Sequence, residues 1–272
     1  MEKQLSNLNK IYKFHQGTLV EQLDEVVSEF PLTIFVNDEE FATMVCTPSN
    51  LDELVIGFLA SEGLIRSKRE IQTLSIDEGK GMAYVELTSE IYTNPSLYSK
   101  RFIGSCCGKS RQFYLKNDAK TAKTSTSRIV ITPERCIQMM KELQNSSVIF
   151  RETGGVHNAA LFNRDRMLIN RSDIGRHNAL DKIYGYCLIN KIPVRDKIIA
   201  FSGRISSEVL LKAAKIGVGI ILSKSAPTDL AIKLAKDLNI TAIGFIRGSS
   251  FNVYSHSERV VETVNGGENL NF

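Results

Sequence analysis

The 272-residue chain lacks the features that place a protein in a membrane or outside the cell. No run of apolar residues approaches the roughly 20 that a membrane-spanning helix needs. The opening residues, MEKQLSNLNKIYKF, contain no apolar core of a secretory signal. The five cysteines are odd in number and scattered, unlike the framework of a disulfide-rich secreted domain. We therefore expect a soluble cytoplasmic protein that keeps its thiols reduced.

A strong charge of either sign is also missing. There are 34 basic and 30 acidic residues, which gives a net charge of +4. This surplus is too small to indicate nucleic-acid binding, although it suits an anionic small ligand or an acidic partner. With 43% hydrophobic and 24% charged residues, the composition is that of an ordinary globular protein of one large or two average domains.

The sequence contains none of the familiar nucleotide or zinc signatures. Neither a Walker A loop nor a Rossmann glycine fingerprint is present. No C-x-x-C or H-x-x-x-H set accompanies the four histidines, and structural zinc needs about four ligands. We expect no metal site, and a metal-dependent hydrolase of nucleotides is the less favoured of the alternative functions.

Two adjacent cysteines, Cys106 and Cys107, form the most unusual stretch of the chain, RFIGSCCGKSR. The surrounding glycines and serines predict an exposed loop. Arg101, Lys109 and Arg111 bring positive charge, which lowers a thiol pKa and favours the reactive thiolate. The stretch therefore predicts a reactive sulfur site. A structural or incidental role remains open, because cysteine is often simply a small buried residue.

The first half of the chain is typical of a small α+β unit. Residues 1–29 predict an arm or an edge strand, and residues 32–46 and 71–88 predict two hairpins. Between the hairpins, Asn50 is expected to cap a helix that has Glu53 at its third position and ends near Gly63. Cys46 and Cys136 are expected to be structural.

A Lys/Thr/Ser-rich stretch, residues 119–127, predicts a linker, so we place a domain boundary between residues 126 and 127. A helix opens at Pro133, and a hairpin runs from His157 to about Ile169. From residue 197, strands and helices alternate, which indicates a parallel sheet covered by helices.

Three loops follow the strands of this predicted sheet, and each combines a cation with hydroxyls or glycine. They are residues 202–207 with Arg204, residues 223–228 with Lys224, and residues 247–250 with Arg247. Ligands of such sheets bind at the carboxyl ends of the strands, and helix N-termini favour phosphate. The loops predict an anion or nucleotide-phosphate site, although Ser and Thr also cap ordinary helices.

His157 and His177 each lie next to glycine-containing turns. They are candidates for ligand contacts, proton donors or metal ligands, while a lone histidine is more often structural. Asp173 and Arg176 are expected either to fix a turn or to hold His177.

Several long motifs resemble one known family. ETGGVHNAALF, DIGRHNALDKIYGYC, FNVYSH and the long run from FSGRISSEVLL to GFIRG are similar to the formate dehydrogenase accessory sulfurtransferase family, FdhD. The hairpin FPLTIFVNDEEFATMVCTP and the helix NLDELVIGFLASEGLI are similar to the N-terminal half of that family. The resemblance extends over nearly the whole chain.

The resemblance implies a function and a fold. Family members take persulfide sulfur from a cysteine desulfurase and deliver it to the molybdenum cofactor of formate dehydrogenase. They bind its bis-guanine-dinucleotide form as substrate, for which GDP and GMP are expected mimics, and they form homodimers. The implied fold is α/β, with a three-layer, cytidine-deaminase-like domain at residues 127–272 after a smaller α+β domain at residues 1–126.

The resemblance also assigns roles to residues. The persulfide cysteine falls in the adjacent pair, and the Gly108-Lys109 that follows favours Cys107, with Cys106 as an accessory thiol. The cofactor-binding stretch is Phe245, Ile246, Arg247, Gly248, Ser249 and Ser250. Arg204 and Lys224 are expected to help hold the nucleotide phosphates, and His157 and His177 to line the pocket.

Two departures from the related patterns matter. Many family members have C-x-x-C where this chain has adjacent cysteines, which weakens any mechanism that needs an intramolecular disulfide. Cytidine deaminases carry a glutamate two residues after the first zinc ligand, whereas this chain has His157-Asn158-Ala159. The alternative function is a non-catalytic chaperone that binds the molybdenum cofactor and has incidental cysteines.

Overall fold

Two β-sheets with their own helices, and a separate two-stranded hairpin, make up the architecture. The structure, a computed structural model, describes residues 4–88, the backbone of residues 101–103, and residues 122–262. No helix in these ranges is both long and apolar enough to cross a bilayer.

The chain begins with a hairpin of strands β1 (Ser6–His15) and β2 (Thr18–Val27), which pair with no other strand that the structure describes. Gln16 and Gly17 form the turn with positive φ values of 48° and 86°, the geometry of a tight hairpin turn. The predicted arm is therefore a long, separate hairpin and not an edge strand of a larger sheet.

The N-terminal sheet has five strands in the order β5-β6-β3-β4-β7. Its strands are β3 (Phe30–Val36), β4 (Glu39–Cys46), β5 (Ile71–Asp77), β6 (Met82–Leu87) and β7 (Arg101–Ile103). Helix α1 (Leu51–Ser61) packs against it and is buried along almost its whole length. A short 3-10 turn, Lys68–Glu70, precedes β5. Both predicted hairpins are confirmed in this sheet.

The C-terminal sheet has six strands in the order β13-β12-β11-β10-β8-β9. The strands are β8 (His157–Phe162), β9 (Met167–Asp173), β10 (Ile198–Phe201), β11 (Ile220–Ser223), β12 (Thr241–Arg247) and β13 (Ser250–Val253). Strands β10, β11 and β12 run parallel, and β8 runs antiparallel to β10. The predicted parallel core of the sheet is confirmed, flanked by antiparallel strands on both sides.

Helices cover both faces of the C-terminal sheet. One face packs against α4 (Arg176–Ile189), α5 (Ser207–Ile216) and α6 (Asp229–Asp237). The other face packs against α2 (Pro133–Ser146). A short helix, α3 (Val148–Thr153), follows α2, and a 3-10 turn lies at Ser257–Arg259. This is the expected three-layer α/β arrangement, and the fold class is confirmed.

Helices α1 and α4 join the two sheets at a very close crossing. A Cβ atom on Gly57 would lie 1.8 Å from the carbonyl oxygen of Asp181, and one on Gly185 would lie 1.9 Å from that of Glu53. Only glycine permits this backbone contact. Around it, Arg171 binds Glu53 through two hydrogen bonds, and Lys212 pairs with Asp181 at 2.5 Å.

One local prediction is wrong. Asn50 precedes α1 in the left-handed conformation, with φ 50°, and its side chain makes no cap hydrogen bond. Glu53 instead forms a bidentate ion pair with Arg171 of β9, the strong geometry for an arginine and a carboxylate. The boundary at residues 126 and 127 remains a prediction. Ser125 already donates its N–H to Leu238 at the end of α6.

Candidate functional site

The three loops at the carboxyl ends of β10, β11 and β12 meet at one edge of the sheet. The hydroxyl of Ser223 donates to the carbonyl oxygen of Gly203 at 2.7 Å, which joins the first two loops. The N–H of Phe245 donates to the carbonyl oxygen of Ser225 at 3.4 Å, which joins the second loop to β12. The predicted convergence of these loops is therefore confirmed in the fold.

Some hydroxyls of these loops serve the helices that follow. The Ser206 hydroxyl accepts the N–H of Val209 at the start of α5, and the Thr228 hydroxyl accepts that of Ala231 at the start of α6. Both are ordinary N-caps, which satisfy backbone donors that the helix leaves free. These two hydroxyls thus have the structural role that the sequence left open.

The three cations of the loops are exposed at this edge. Arg204, Lys224 and Arg247 all have exposed side chains. Within the described part of the chain, none of them has an acidic partner at ion-pair distance. The guanidinium of Arg247 lies over the ring of Phe245, 5.1 Å from its centroid. The edge can therefore offer three positive groups to an anion.

The predicted cofactor-binding stretch forms the turn between β12 and β13. Phe245 and Gly248 have positive φ values of 54° and 58°. Ser250 pairs with Arg247 across the turn, and its hydroxyl donates to the Arg247 carbonyl oxygen at 3.2 Å. Phe245, Arg247, Gly248, Ser249 and Ser250 are exposed, whereas Ile246 is buried in the core beneath α2. The side chain of Ile246 is thus structural.

A cleft of about 320 Å³ opens at the same edge. Its lining combines apolar and polar residues, a mixture typical of small-molecule sites. The lining residues are Met140, Leu143, Gln144, Phe150, Gly154, Gly155, Val156, His157, Asn158, Ser202 and Lys224. The structure therefore brings His157 and Lys224 into one cleft, as the sequence predicted.

His157 begins β8 and stacks on Phe201 of β10, with ring centroids 6.5 Å apart. Burial lowers the pKa of His157, and the positive charge of Arg176 lowers it further. The imidazole is therefore neutral near pH 7, so it offers one donor and one acceptor and no fixed positive charge. Next to it, Ser202 donates its N–H to Asn158 and accepts the Asn158 N–H, which fixes the strand end.

His177 is in the first turn of α4 and is not among the residues that line the cleft. Its Nε2 atom lies 3.0 Å from Oε2 of Glu208 in α5. Burial lowers the pKa of His177 more than Glu208 raises it. His177 thus contributes to the contact between two helices behind the cleft.

Asp173 fixes the turn before α4. Its carboxylate accepts the N–H of Gly175 at 2.8 Å and the side-chain amide of Asn178 at 2.9 Å. It also accepts the N–H of Thr47 at 3.1 Å and pairs with the buried Lys182 at 2.7 Å. Of the two roles predicted for Asp173, the structure supports the turn.

Cys106 and Cys107 lie outside the described residues, but the strand that leads to them is described. Strand β7 ends at Ile103, three residues before Cys106. It runs parallel to β4, with Ile103 opposite Met44. Beyond the end of β4, Thr47 donates its N–H to the carboxylate of Asp173, and its hydroxyl accepts the N–H of Ile174. The chain thus enters the cysteine stretch at the edge where α4 begins.

The three described cysteines are all buried thiols. Burial raises the pKa of Cys136 and of Cys187 to about 12, and Cys46 donates to the carbonyl oxygen of Phe30. The structural roles predicted for Cys46 and Cys136 agree with this burial. Among the described residues, no group of three or more His, Cys, Asp or Glu could hold a metal ion.

Sequence reasoning missed several members of this region. Glu208 faces His177 in the structure. In the sequence it looks only like one of the acidic residues that commonly occupy the first turn of a helix. The apolar wall of the cleft comes from α2 and α3, and α3 was not predicted. Periodicity could have indicated the buried face of α2, but only the tertiary fold brings it next to His157.

Comparison with known proteins gives one consistent result. The FdhD/NarQ family model matches residues 27–261. A sulfur carrier protein FdhD from Halalkalibacterium halodurans is 62% identical over 263 residues, covering 96% of this chain and 97% of that protein. Another from Bacillus licheniformis is 59% identical over 260 residues, covering 96% and 99%.

A solved structure agrees with these relatives. The crystal structure of a candidate formate dehydrogenase accessory protein from Desulfotalea psychrophila superimposes with a TM-score of 0.78. It is 26% identical and covers 95% of this chain and 100% of that one. Sequence and structure thus agree over almost the full length, and the chain belongs to the FdhD/NarQ family.

Proposed function

We propose that this protein is a sulfur carrier that accepts persulfide sulfur from a cysteine desulfurase and delivers it to the molybdenum cofactor of formate dehydrogenase. The relatives that carry the name sulfur carrier protein support the first part of this proposal. The accessory protein from Desulfotalea psychrophila supports the link to formate dehydrogenase. The observation that carries the proposal is the cationic edge, where Arg204, Lys224 and Arg247 are exposed on adjoining loops and Lys224 lines the cleft.

The loading step is a thiol exchange at Cys107. The Cys107 thiolate attacks the terminal sulfur of the donor's persulfide. A new S–S bond forms on Cys107 as the donor's S–S bond breaks, and the donor cysteine leaves as a thiolate. No net oxidation occurs, since the sulfane sulfur only changes partner. In delivery, an acceptor atom supplies the electron pair and bonds to the outer sulfur of the Cys107 persulfide. The S–S bond to Cys107 breaks, which regenerates the Cys107 thiolate.

The cationic edge is the proposed docking site for the nucleotide part of the cofactor. Phosphate oxygens would accept hydrogen bonds from Arg204, Lys224 and Arg247, which have no competing acid nearby in the described structure. His157, neutral and half-buried in the cleft, would donate or accept a hydrogen bond without adding charge. The bis-guanine-dinucleotide form of the cofactor is the proposed substrate, and the working protein is a homodimer.

The loading step is tested by intact mass spectrometry after incubation with a cysteine desulfurase and free cysteine, without reductant. Wild-type protein should gain 32 Da, the mass of about one sulfur atom, and lose it when a thiol is added. Cys107→Ala should gain none, while Cys106→Ala should still load. Cys187→Ala is the matched control, since that thiol is buried. Loading of the Cys107→Ala variant would show the assignment to be wrong.

The docking site is tested separately by titration with GDP, GMP and phosphate. Lys224→Ala and Arg247→Ala should each weaken GDP binding about tenfold, the effect expected for one lost charge-assisted hydrogen bond. Lys233→Ala is the control, because Lys233 is an exposed cation on α6 that pairs with Asp229. Nucleotide binding without any sulfur loading would favour the alternative, a non-catalytic chaperone of the cofactor.

A further inference from the structure

Arg176 is a cation that has no counter-ion among the described residues. It begins α4, and its side chain is partly buried. In this part of the chain its buried Nε–H group has no hydrogen-bond partner, and no carboxylate lies within ion-pair distance of the guanidinium. Arg135, which also has one buried unpaired nitrogen, differs because it pairs with Glu142 at 2.7 Å. An unpaired charged donor is costly, so Arg176 indicates a missing acceptor.

Two acidic side chains flank the start of α4, and both are occupied. Asp173 accepts from two backbone N–H groups, one side-chain amide and the ammonium of Lys182. These four donors fill the lone-pair positions of a carboxylate. Glu208 of α5 faces His177, with 3.0 Å between Oε2 and Nε2. Neither acid pairs with Arg176, so the described fold leaves its charge uncompensated.

The start of α4 favours an anion for a second reason. The residue before the helix is Gly175, which has no side chain to cap the first turn, whereas the neighbouring α5 is capped by the Ser206 hydroxyl. The 3.0 Å contact between His177 and Glu208 shows that the two helices start side by side. The first N–H groups of a helix have no intrahelical acceptor and carry partial positive charge. A phosphate next to Arg176 would meet these donors as well.

His157 connects Arg176 with the cleft. Its ring stacks on Phe201, which packs in the core under α4, and His157 also lines the cleft. The charge of Arg176 is close enough to lower the pKa of His157. The backbone of Gly203 passes the same ring, and a Cβ atom there would lie 3.4 Å from Nδ1 of His157. The cleft, His157 and Arg176 therefore form one continuous region at the carboxyl end of β10.

The chemistry of these groups suits a phosphate. An arginine side chain offers N–H donors in a fixed fork that matches the oxygens of a phosphate. A neutral His157 can donate one further hydrogen bond. Among the described residues that line the cleft, Lys224 is a cation and none is acidic. An anion that enters the cleft is thus attracted and meets donors that can hold it.

We propose that Arg176 is the buried phosphate-binding residue of this site, with its Nε–H and the His157 ring donating to the same phosphate group. This inference rests on the proposed function, whose substrate carries nucleotide phosphates, and it adds the residue that fixes where one phosphate lies. Arg204, Lys224 and Arg247 are exposed on loops, so they attract anions without holding them in one position. Arg176 is fixed in the first turn of a helix, and a partly buried charge is less screened by water and salt. It is therefore the residue expected to orient the bound nucleotide.

The test follows the His157 ring by NMR while the full-length protein is titrated with GDP, GMP, inorganic phosphate or guanosine. A His157→Gln sample assigns the signal. Bound GDP, GMP or phosphate should raise the pKa of His157 by about one pH unit, because a neighbouring anion favours the protonated ring. Guanosine, which has no phosphate, should leave this pKa unchanged. A response at lower concentrations of GDP than of phosphate identifies the nucleotide as the source of the bound group.

Variants of Arg176 connect this response to the residue. Arg176→Gln should bind GDP about tenfold more weakly, the effect of one lost charge-assisted hydrogen bond, and GDP should no longer raise the pKa of His157. Without ligand, this variant should itself raise that pKa, because a neighbouring positive charge is removed. Arg176→Lys keeps the charge without the fork and should have an intermediate affinity. Arg166→Gln is the matched control and should behave as wild type, since Arg166 is exposed in the turn at the other end of β8.

Two results would overturn the inference, namely an unchanged GDP affinity of Arg176→Gln or a His157 response that this variant keeps. If Arg176→Gln does not fold, Arg176→Lys decides, since a wild-type GDP affinity in that variant would show that the fork is not used. GDP binding that depends on Lys224 and not on Arg176 leaves the proposed function standing and rejects the inference. Phosphate binding that depends on Arg176, without tighter binding of GDP, supports the anion site and contradicts the nucleotide docking of the proposed function.

Discussion

Two histidines at or near the site are held neutral by their surroundings. Burial is the main reason that the pKa of His157 and of His177 lies below 6.5, and the positive charge of Arg176 acts in the same direction on both. When the chain unfolds, both rings regain the ordinary value. In the pH range just below 6.5, these two histidines are therefore protonated to a greater extent in the unfolded state than in the native state.

We predict that stability falls as the pH is lowered through this range. Well above pH 6.5 both histidines are neutral in both states and contribute no pH dependence. Below it, each costs up to about 1.4 kcal/mol per pH unit until the folded pKa is reached. Urea unfolding at pH 7.5, 6.5 and 5.5 measures the slope. His157→Gln/His177→Gln should flatten it.

The control for this prediction is His15→Gln, since His15 is exposed on the hairpin. Its removal should leave the wild-type slope in place. A wild-type slope that the double variant keeps unchanged would show that other groups cause the pH dependence, and that burial of these two rings has no energetic consequence.

At the scale of elements, the crossing of α1 and α4 determines how the two sheets are joined. Gly57 and Gly185 each face the backbone of the other helix at a distance where no side-chain carbon fits. The N-terminal sheet carries the strand that leads to the cysteines, and α4 begins beside Asp173. The helix crossing therefore sets the position of β7, the strand that leads to the cysteines, relative to the C-terminal sheet and its cleft.

We predict that Gly57→Ala is strongly destabilising, by at least about 3 kcal/mol, the upper end of what overpacking usually costs. The added methyl would lie 1.8 Å from the carbonyl oxygen of Asp181, so the helices must separate. Thermal and urea unfolding measure the loss. Ala is otherwise the better helix former, so helix propensity alone predicts the opposite sign.

Gly79→Ala is the matched control for the helix crossing. Its nearest atom would be Oδ1 of Asp77, a surface side chain at 3.2 Å that can move aside. We expect a change within about 0.5 kcal/mol, as for most surface substitutions. Equal effects of the two substitutions would mean that the close crossing is not what holds the helices together.

The elements themselves were largely predictable because their signals are local. The turn at Asn37 and Asp38, the Thr132-Pro133 start of α2 and the strand–helix alternation after residue 197 all appear in the sequence and in the structure. Asn50 does not cap α1 with its side chain because its backbone is left-handed, with φ 50°. Glu53 pairs with Arg171, which is more than 100 residues away in the sequence. The cleft could not be predicted from local signals either, because its apolar wall and His157 come from separate elements.

At the scale of the whole molecule, the chain separates its inert thiols from its candidate reactive ones. Cys46 packs in the core of the N-terminal sheet, and Cys136 and Cys187 lie in the two cores around the C-terminal sheet. At a pKa of about 12, the thiols of Cys136 and Cys187 are almost never thiolates near pH 7. Folding thus removes these cysteines from sulfur chemistry.

We predict that brief iodoacetamide labelling of the native protein at pH 7.5 modifies only the peptide with Cys106 and Cys107. The thiolate is the nucleophile, so a buried thiol with a pKa of about 12 should react at least 1,000-fold more slowly than an exposed one. Labelling in urea is the control, and there all five cysteines should react at similar rates. Native labelling of Cys46, Cys136 or Cys187 at the rate seen in urea would contradict the burial of these thiols. Absence of native labelling at Cys106 and Cys107 would instead remove the support for a persulfide site, because a carrier must expose its thiolate to a donor protein.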